Sequence, residues 1–256
     1  MSLRFIGKVF FFGWLTALAT GVGALPFLCL TRPTKIIIGG ANAVASGMMM
    51  SASVGLLVHG AQSVADGPSP ALLTLIGASV GWACIILAKR ATEGVSVESS
   101  LGFGASVDAK KMLLVIFVMT LHSFAEGVAI GVSFSATKSL GELISLSLAI
   151  HNAPEGLAIA LVMVPRGVSV LDACLWAVFS SLPQPLMAVP AFDFVESFAP
   201  FLPVGLGFAA GAMLYVAFFE LFPDAAKDLD LPVACAAVAG AFGGMSLIQW
   251  ELNGVI

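Results

Sequence analysis

The chemistry available to this sequence rests on two histidine–glutamate pairs. His122, Glu126, Gly127, Ala129 and Ile130 recur as His151, Glu155, Gly156, Ala158 and Ile159, an offset of 29 residues. In each copy the His and the Glu are four positions apart, which sets both side chains on one face of a helix. Imidazole nitrogens and carboxylate oxygens converging on one point suit Zn²⁺ or another divalent transition ion, with Fe²⁺, Mn²⁺ and Cd²⁺ also compatible. Two ionised glutamates would cancel the charge of one such ion. Without an ion, at least one carboxylate is expected to hold a proton, so metal and protons should compete for the site. A single His–Glu pair would be read first as a buried pair tying two helices together. Two matched copies favour a metal instead. A bis-His haem site would not call for the glutamates. A zinc hydrolase would call for HExxH, which is missing, and no serine has an obvious base beside it.

The frame around these residues is almost wholly apolar. Of 256 residues only 26 are charged, 59% are hydrophobic, and the net charge is −4. Mean hydropathy is +1.04. Such an inventory cannot cover a water-soluble surface, is too apolar for disorder, and lacks the basic excess a nucleic-acid partner requires. It implies an all-α integral membrane protein whose surroundings are the lipid bilayer. Runs long enough to cross the bilayer fall at about 9–31, 36–60, 68–88, 112–137, 143–165, 173–192, 197–222 and 231–250. They make one polytopic domain with short connections and a polar loop at 89–111. The run 9–31 is longer than a signal-peptide core and is expected to remain as a span. Each His–Glu pair then falls near the middle of span four or five, where an ionised carboxylate costs roughly 2.5–3.5 kcal/mol without compensation.

Basic residues orient the chain. Arg32, Lys35, Lys89, Arg90, Lys110, Lys111, Arg166 and Lys227 share one side, whereas Arg4, Lys8 and Lys138 lie on the other. The positive-inside rule makes the first side cytoplasmic, with loop 89–111 on it and both termini on the opposite side. Which cellular membrane is involved does not follow. Cys29, Cys84, Cys174 and Cys235 are isolated and lack metal-ligand spacing. Pro154 removes one helical hydrogen bond, and with Gly156 beside it predicts a bend at the second motif. Gly127 and Gly156 are expected to let spans four and five approach each other closely.

These residues resemble the ZIP family of divalent-metal transporters, in its branch with His-Asn-x-Pro-Glu-Gly motifs. His151-Asn152-Ala153-Pro154-Glu155-Gly156 matches that pattern throughout, and His122-Ser123-Phe124-Ala125-Glu126-Gly127 matches it with Ser for Asn and Ala for Pro. The stretches 19–26, 45–50, 211–216 and 220–224 look like the family's first, second and seventh spans. The resemblance implies eight transmembrane helices, with spans 1–3 and 6–8 forming an inverted repeat around spans 4 and 5. Gly47-Met48-Met49-Met50 and Gly211-Ala212-Met213-Leu214 are a faint trace of that repeat. It also implies His122, Glu126, His151 and Glu155 as metal ligands and Met48 beside the path. The ion, most expectedly zinc, would be cargo carried towards the cytosol by alternating access, with no prosthetic group.

Family members often hold a second, adjacent metal, using the residue after each His and a Glu in span six. Here those positions are Ser123, Asn152 and Gln184, neutral and weaker ligands, so the second site is expected to be weak or missing. Pro183, Pro185 and Pro190 imply a broken sixth helix. The loop 91–109 has no His and is expected to be a plain connector. His59 is expected to face the headgroups rather than to act as a vestibule ligand. Glu220 could be a gating carboxylate or an interfacial charge beside Asp224. Asp66, Glu142, Asp193 and Glu196 give the non-cytoplasmic face acidic character that could gather cations. Phe10–Phe12 and Phe218-Phe219 are expected to face lipid or to pack. An intramembrane enzyme using the same four residues is the alternative function. A homodimer is compatible with the sequence.

Overall fold

The structure, a computed structural model, describes residues 3–29, 34–63, 69–93 and 108–253. Among these residues there are helices and no strand. In chain order they are α1 (Leu3–Val22), α2 (Lys35–Gln62), α3 (Pro70–Glu93), α4 (Asp108–Ala136), α5 (Lys138–Met163), α6 (Val170–Ser180), α7 (Pro183–Asp193), the single turn α8 (Val195–Phe198), α9 (Leu202–Val216), α10 (Phe222–Asp228) and α11 (Leu231–Asn253). Eight helical segments are long and apolar enough to cross a membrane: Phe5–Leu28, Lys35–Gln62, Pro70–Arg90, Met112–Ala136, Lys138–Arg166, Val170–Asp193, Val195–Asp228 and Leu231–Glu251. The protein is an integral, multi-pass membrane protein.

Several boundaries move from the sequence expectation for local reasons. The first span sits earlier, at Phe5–Leu28. The fifth starts at Lys138 because Thr137 caps it, its side chain accepting from the Leu140 N–H at 3.1 Å. Helix α3 runs to Glu93 and α4 begins at Asp108, so both helices extend into the expected polar loop and leave 94–107 between them. Those residues, Glu98 among them, lie outside the described residues, as do Arg32 and Asp66. Span seven continues beyond Phe222 to Asp228 through a π-helical turn over Ala217–Leu221. Pro223 has no N–H for the Phe219 carbonyl, and the ladder shifts register there: the Phe222 N–H bonds to the Ala217 carbonyl instead.

Span six is broken as its prolines imply. Its two pieces, α6 and α7, meet at the turn Ser181-Leu182, with Pro183 and Gln184 opening the second piece. By contrast, α5 stays helical through Pro154, which interrupts one backbone bond without ending the helix.

The helices pack in pairs that obey an exchange of spans 1–3 with 6–8 and of span 4 with 5. Helix α3 packs on α9 as α11 packs on α2, α4 on α7 as α5 on α1, and α4 on α9 as α5 on α2. The faint sequence trace takes part: Gly47 seats against Val238 and Ala241 of α11, and Gly211 against Ala78 of α3. Spans 4 and 5 pack on each other inside this frame.

Gly127 and Gly156 do serve close approach, but not of spans four and five to each other. A methyl on Gly127 would meet the Gln184 backbone and Met187 of α7, and one on Gly156 would run into the Thr20 carbonyl of α1. These are equivalent contacts under the exchange. Helix faces in a multi-helix bundle are assigned by neighbours on both sides, which adjacency in sequence does not reveal.

Candidate metal centre

The i,i+4 spacing sets His122 and Glu126 on one face of α4, and His151 and Glu155 on one face of α5. The packing of α4 on α5 joins the two faces. One ligand atom from each of the four residues lies within 4.8 Å of the others. His122 Nε2 is 3.0 Å from Glu155 Oε1 and 3.3 Å from Glu126 Oε2, and His151 Nε2 is 3.1 Å from Glu155 Oε1 and 3.9 Å from Glu126 Oε1. The two imidazole rings stand nearly perpendicular, 80° apart. All four side chains are buried.

The polar atoms at the centre are left without hydrogen bonds. His122 Nδ1 and Nε2, His151 Nε2, Glu126 Oε1 and both Glu155 oxygens are buried and have no hydrogen-bond partner among the described residues. Buried polar groups are normally satisfied, and an unsatisfied cluster signals an ion or a functional site. Ligands around a tetrahedral zinc with bonds of about 2.1 Å stand about 3.4 Å apart. The four His–Glu separations of 3.0–3.9 Å straddle that value, and one atom from each residue lies within 4.8 Å of the others.

Two flanking amides form a short hydrogen-bonded chain beside the centre. Gln184 Nε2 donates to Glu126 Oε2, and Asn152 Nδ2 donates to Gln184 Oε1 at 3.1 Å and to the Thr16 carbonyl at 2.9 Å. Asn152 Oδ1 has no partner among the described residues. Ser123 turns back to its own helix, its hydroxyl donating to the Met119 carbonyl at 2.8 Å. Met48 is half-buried in packing against the core and does not line the cavity described next.

A cavity of about 320 Å³ reaches His151 from one end of the bundle. Its walls include Ala52, Leu56 and His59 of α2, Ala129 of α4, Leu148 of α5 and Leu206 of α9. His59 therefore lines the approach to the centre, against the expectation that it faces headgroups. Gln62, Ser133, Ser147 and Gln249 also border the cavity, and sequence reasoning did not single them out. Gln249 was the most findable, as a lone amide late in an apolar span. Met49, Met119, Ala158, Val162, Met213 and Val216, which lie further from the cavity mouth along their helices than its wall residues, are buried together in the core.

Glu220 lies towards the same end as Met213 and Val216, in the π-helical turn. It is mostly buried and accepts from Lys89 Nζ of α3 at 2.8 Å. Asp224 pairs with Lys227 instead, at 3.0 Å. Ser46 of α2 also joins the turn, its hydroxyl donating to the Ala217 carbonyl at 3.0 Å. Of the acidic rim, Glu142 sits between Lys8 and Lys138, at 3.8 and 3.5 Å, so these cations offset its charge. Asp193 and Glu196 are exposed.

The sequence profile described as ZIP Zinc transporter matches residues 102–249, which include the whole four-residue cluster. A protein of Arabidopsis thaliana assigned as a zinc transporter is 42% identical over 246 residues, 95% of this chain. This chain spans 39% of the length of that protein. Zinc transporter GufA of Myxococcus xanthus is 31% identical over 224 residues, covering 82% of this chain and 85% of the bacterial protein. Zinc transporter ZIPB of Bordetella bronchiseptica is 30% identical over 141 residues, 54% of this chain and 46% of its own.

Proposed function

The chain belongs to the ZIP zinc transporter family, and we propose that it carries divalent metal ions, zinc foremost, across the membrane through the His122–Glu126–His151–Glu155 centre. The relatives are transporters rather than enzymes. The observation that carries the proposal is the cluster itself. Four buried ligand atoms lie within 4.8 Å of one another, and most of the polar atoms around them lack hydrogen bonds. Two glutamates balance one divalent ion, so cargo reaches mid-membrane as a neutral complex. That removes most of the cost of placing a charge there.

The proposed direction, towards the cytosol, draws on the cavity and the charge bias together. The cavity ends near Gln62, Ser63 and Leu140, beside the connections after spans two and four. By the positive-inside rule that is the non-cytoplasmic side, which also carries both termini. Cargo then enters past His59, is held by the four ligands, and leaves to the cytosol once the packed half opens. Opening has to part Met49, Met119 and Met213 and loosen the Lys89–Glu220 and Ser46–Ala217 contacts. A cavity at one end of the bundle with buried packing towards the other supports the alternating-access reading. Purified protein in sealed vesicles is expected to accumulate radioactive zinc well above empty vesicles. Uptake equal to empty vesicles would defeat the proposal.

His59 supplies a second, smaller test. It is a single ligand on the approach and not part of the centre. His59→Ala is therefore expected to raise the half-saturating zinc concentration about three- to tenfold, equivalent to about 0.7–1.4 kcal/mol. The maximal rate should stay near wild type. An unchanged half-saturating concentration would return His59 to a packing role.

A further inference from the structure

Resting on the metal-carrying reading above, we infer that Gln184 is a positioning residue that holds Glu126 to one ligating oxygen and thereby favours zinc over larger, oxygen-seeking ions such as Mn²⁺. The centre is asymmetric. Both oxygens of Glu155 lack a hydrogen bond among the described residues, whereas only Oε1 of Glu126 does. Oε2 of Glu126 is engaged by the Gln184 amide. The sense of that amide is set by its neighbours. Asn152 spends its N–H groups on the Thr16 carbonyl and on Gln184 Oε1, which leaves the Gln184 NH₂ for the carboxylate.

The fold builds this contact deliberately. Gln184 opens α7 just after the break in span six, between Pro183 and Pro185. Gly127, the residue after Glu126, admits the α7 backbone at Gln184 where a methyl would clash. Glu126 and Gln184 are consequently held side by side, both fully buried. Among the described residues no amide donates to Glu155, so the exchange that relates the two halves of the bundle is broken at this contact.

Coordination chemistry makes the asymmetry selective. Zinc is satisfied by four ligands with two imidazoles among them, while Mn²⁺ binds imidazole weakly and gains from more oxygens. A Glu126 free to turn and offer both oxygens would raise the coordination number and narrow the gap between the two ions. Partners of this kind typically change metal affinity roughly 10–100-fold when removed.

The test is Gln184→Leu, which keeps the bulk and removes the donor. It is read by Zn²⁺ and Mn²⁺ binding to purified protein and by X-ray absorption of the zinc-loaded form. Zinc affinity is expected to fall roughly tenfold with Mn²⁺ affinity changed far less, and the zinc shell to gain an oxygen. Asn152→Ala frees the Gln184 amide to flip and should shift the ratio in the same direction, by less. It serves if the leucine variant does not fold. An unchanged ratio of the two affinities in whichever variant folds, or an equal loss for both ions with the shell unaltered, overturns the inference. Wild-type protein that binds no zinc at all would instead overturn the transport reading on which it rests.

Discussion

Glu155→Gln is expected to reduce zinc uptake to the level of empty vesicles while leaving the metal-free protein at least as stable as wild type. Glu155 Oε1 lies between the two imidazoles, 3.0 Å from His122 Nε2 and 3.1 Å from His151 Nε2. Neither of its oxygens has a hydrogen bond among the described residues. The carboxylate is thus placed for an ion rather than for the protein. Burying such a group ionised and uncompensated costs several kcal/mol, and an amide of the same shape has no charge to bury. With the amide, a bound divalent ion would lose a ligand and keep a net positive charge inside the membrane. The two effects have opposite signs, which separates a lost site from a lost fold.

Thermal unfolding reads both. A ligand at a hundred times its dissociation constant stabilises the folded state by about 2.7 kcal/mol, so wild type should melt at higher temperature when zinc is added. The Gln variant should begin at or above the metal-free wild-type temperature and show no zinc-dependent rise. Retained uptake together with a retained zinc shift would remove Glu155 from the centre. A fall in the metal-free melting temperature would mean that the side chain is structural.

The convergence of His122, Glu126, His151 and Glu155 was legible from the sequence because mid-membrane carboxylates are too costly to be incidental and because the motif repeats. The broken sixth helix was legible from its prolines, and the π-helical turn was not. Pro223 marks that turn only once the span is known to continue past it. His59 was misread because its position near a helix end looked interfacial. The cavity that reaches it is made by α2, α4, α5 and α9 together, and no single helix pattern encodes a space between four. Gln184 was read as a weak ligand from its type. Its orientation as a donor to Glu126 depends on Asn152 and the Thr16 carbonyl, contributed by two other helices. The general pattern is that a residue's chemistry is written in its type and depth, while its partner is decided by packing.

That distinction makes Gly156→Ala a demanding prediction, since the change is one methyl, raises helix propensity and leaves His122, Glu126, His151 and Glu155 unchanged. It is nevertheless expected to destabilise the protein by roughly 1–3 kcal/mol or more and to cut zinc uptake sharply. The new methyl would point at the Thr20 carbonyl, with Gly23 directly behind it, so the obstruction is backbone and cannot rotate away. Helices α1 and α5 would have to part. Glu155 is the preceding residue, and His151 and Asn152 lie one turn earlier on α5, so the shift moves two ligands and the Asn152 contact with Thr16. Gly240→Ala is the matched control: nothing lies within 4 Å of the methyl it would add on α11. The control should melt and transport as wild type, and its own gain in helix propensity gives the baseline against which the loss at position 156 is measured. If both variants behave alike, the close contact of α1 with α5 is not what holds the second motif in register.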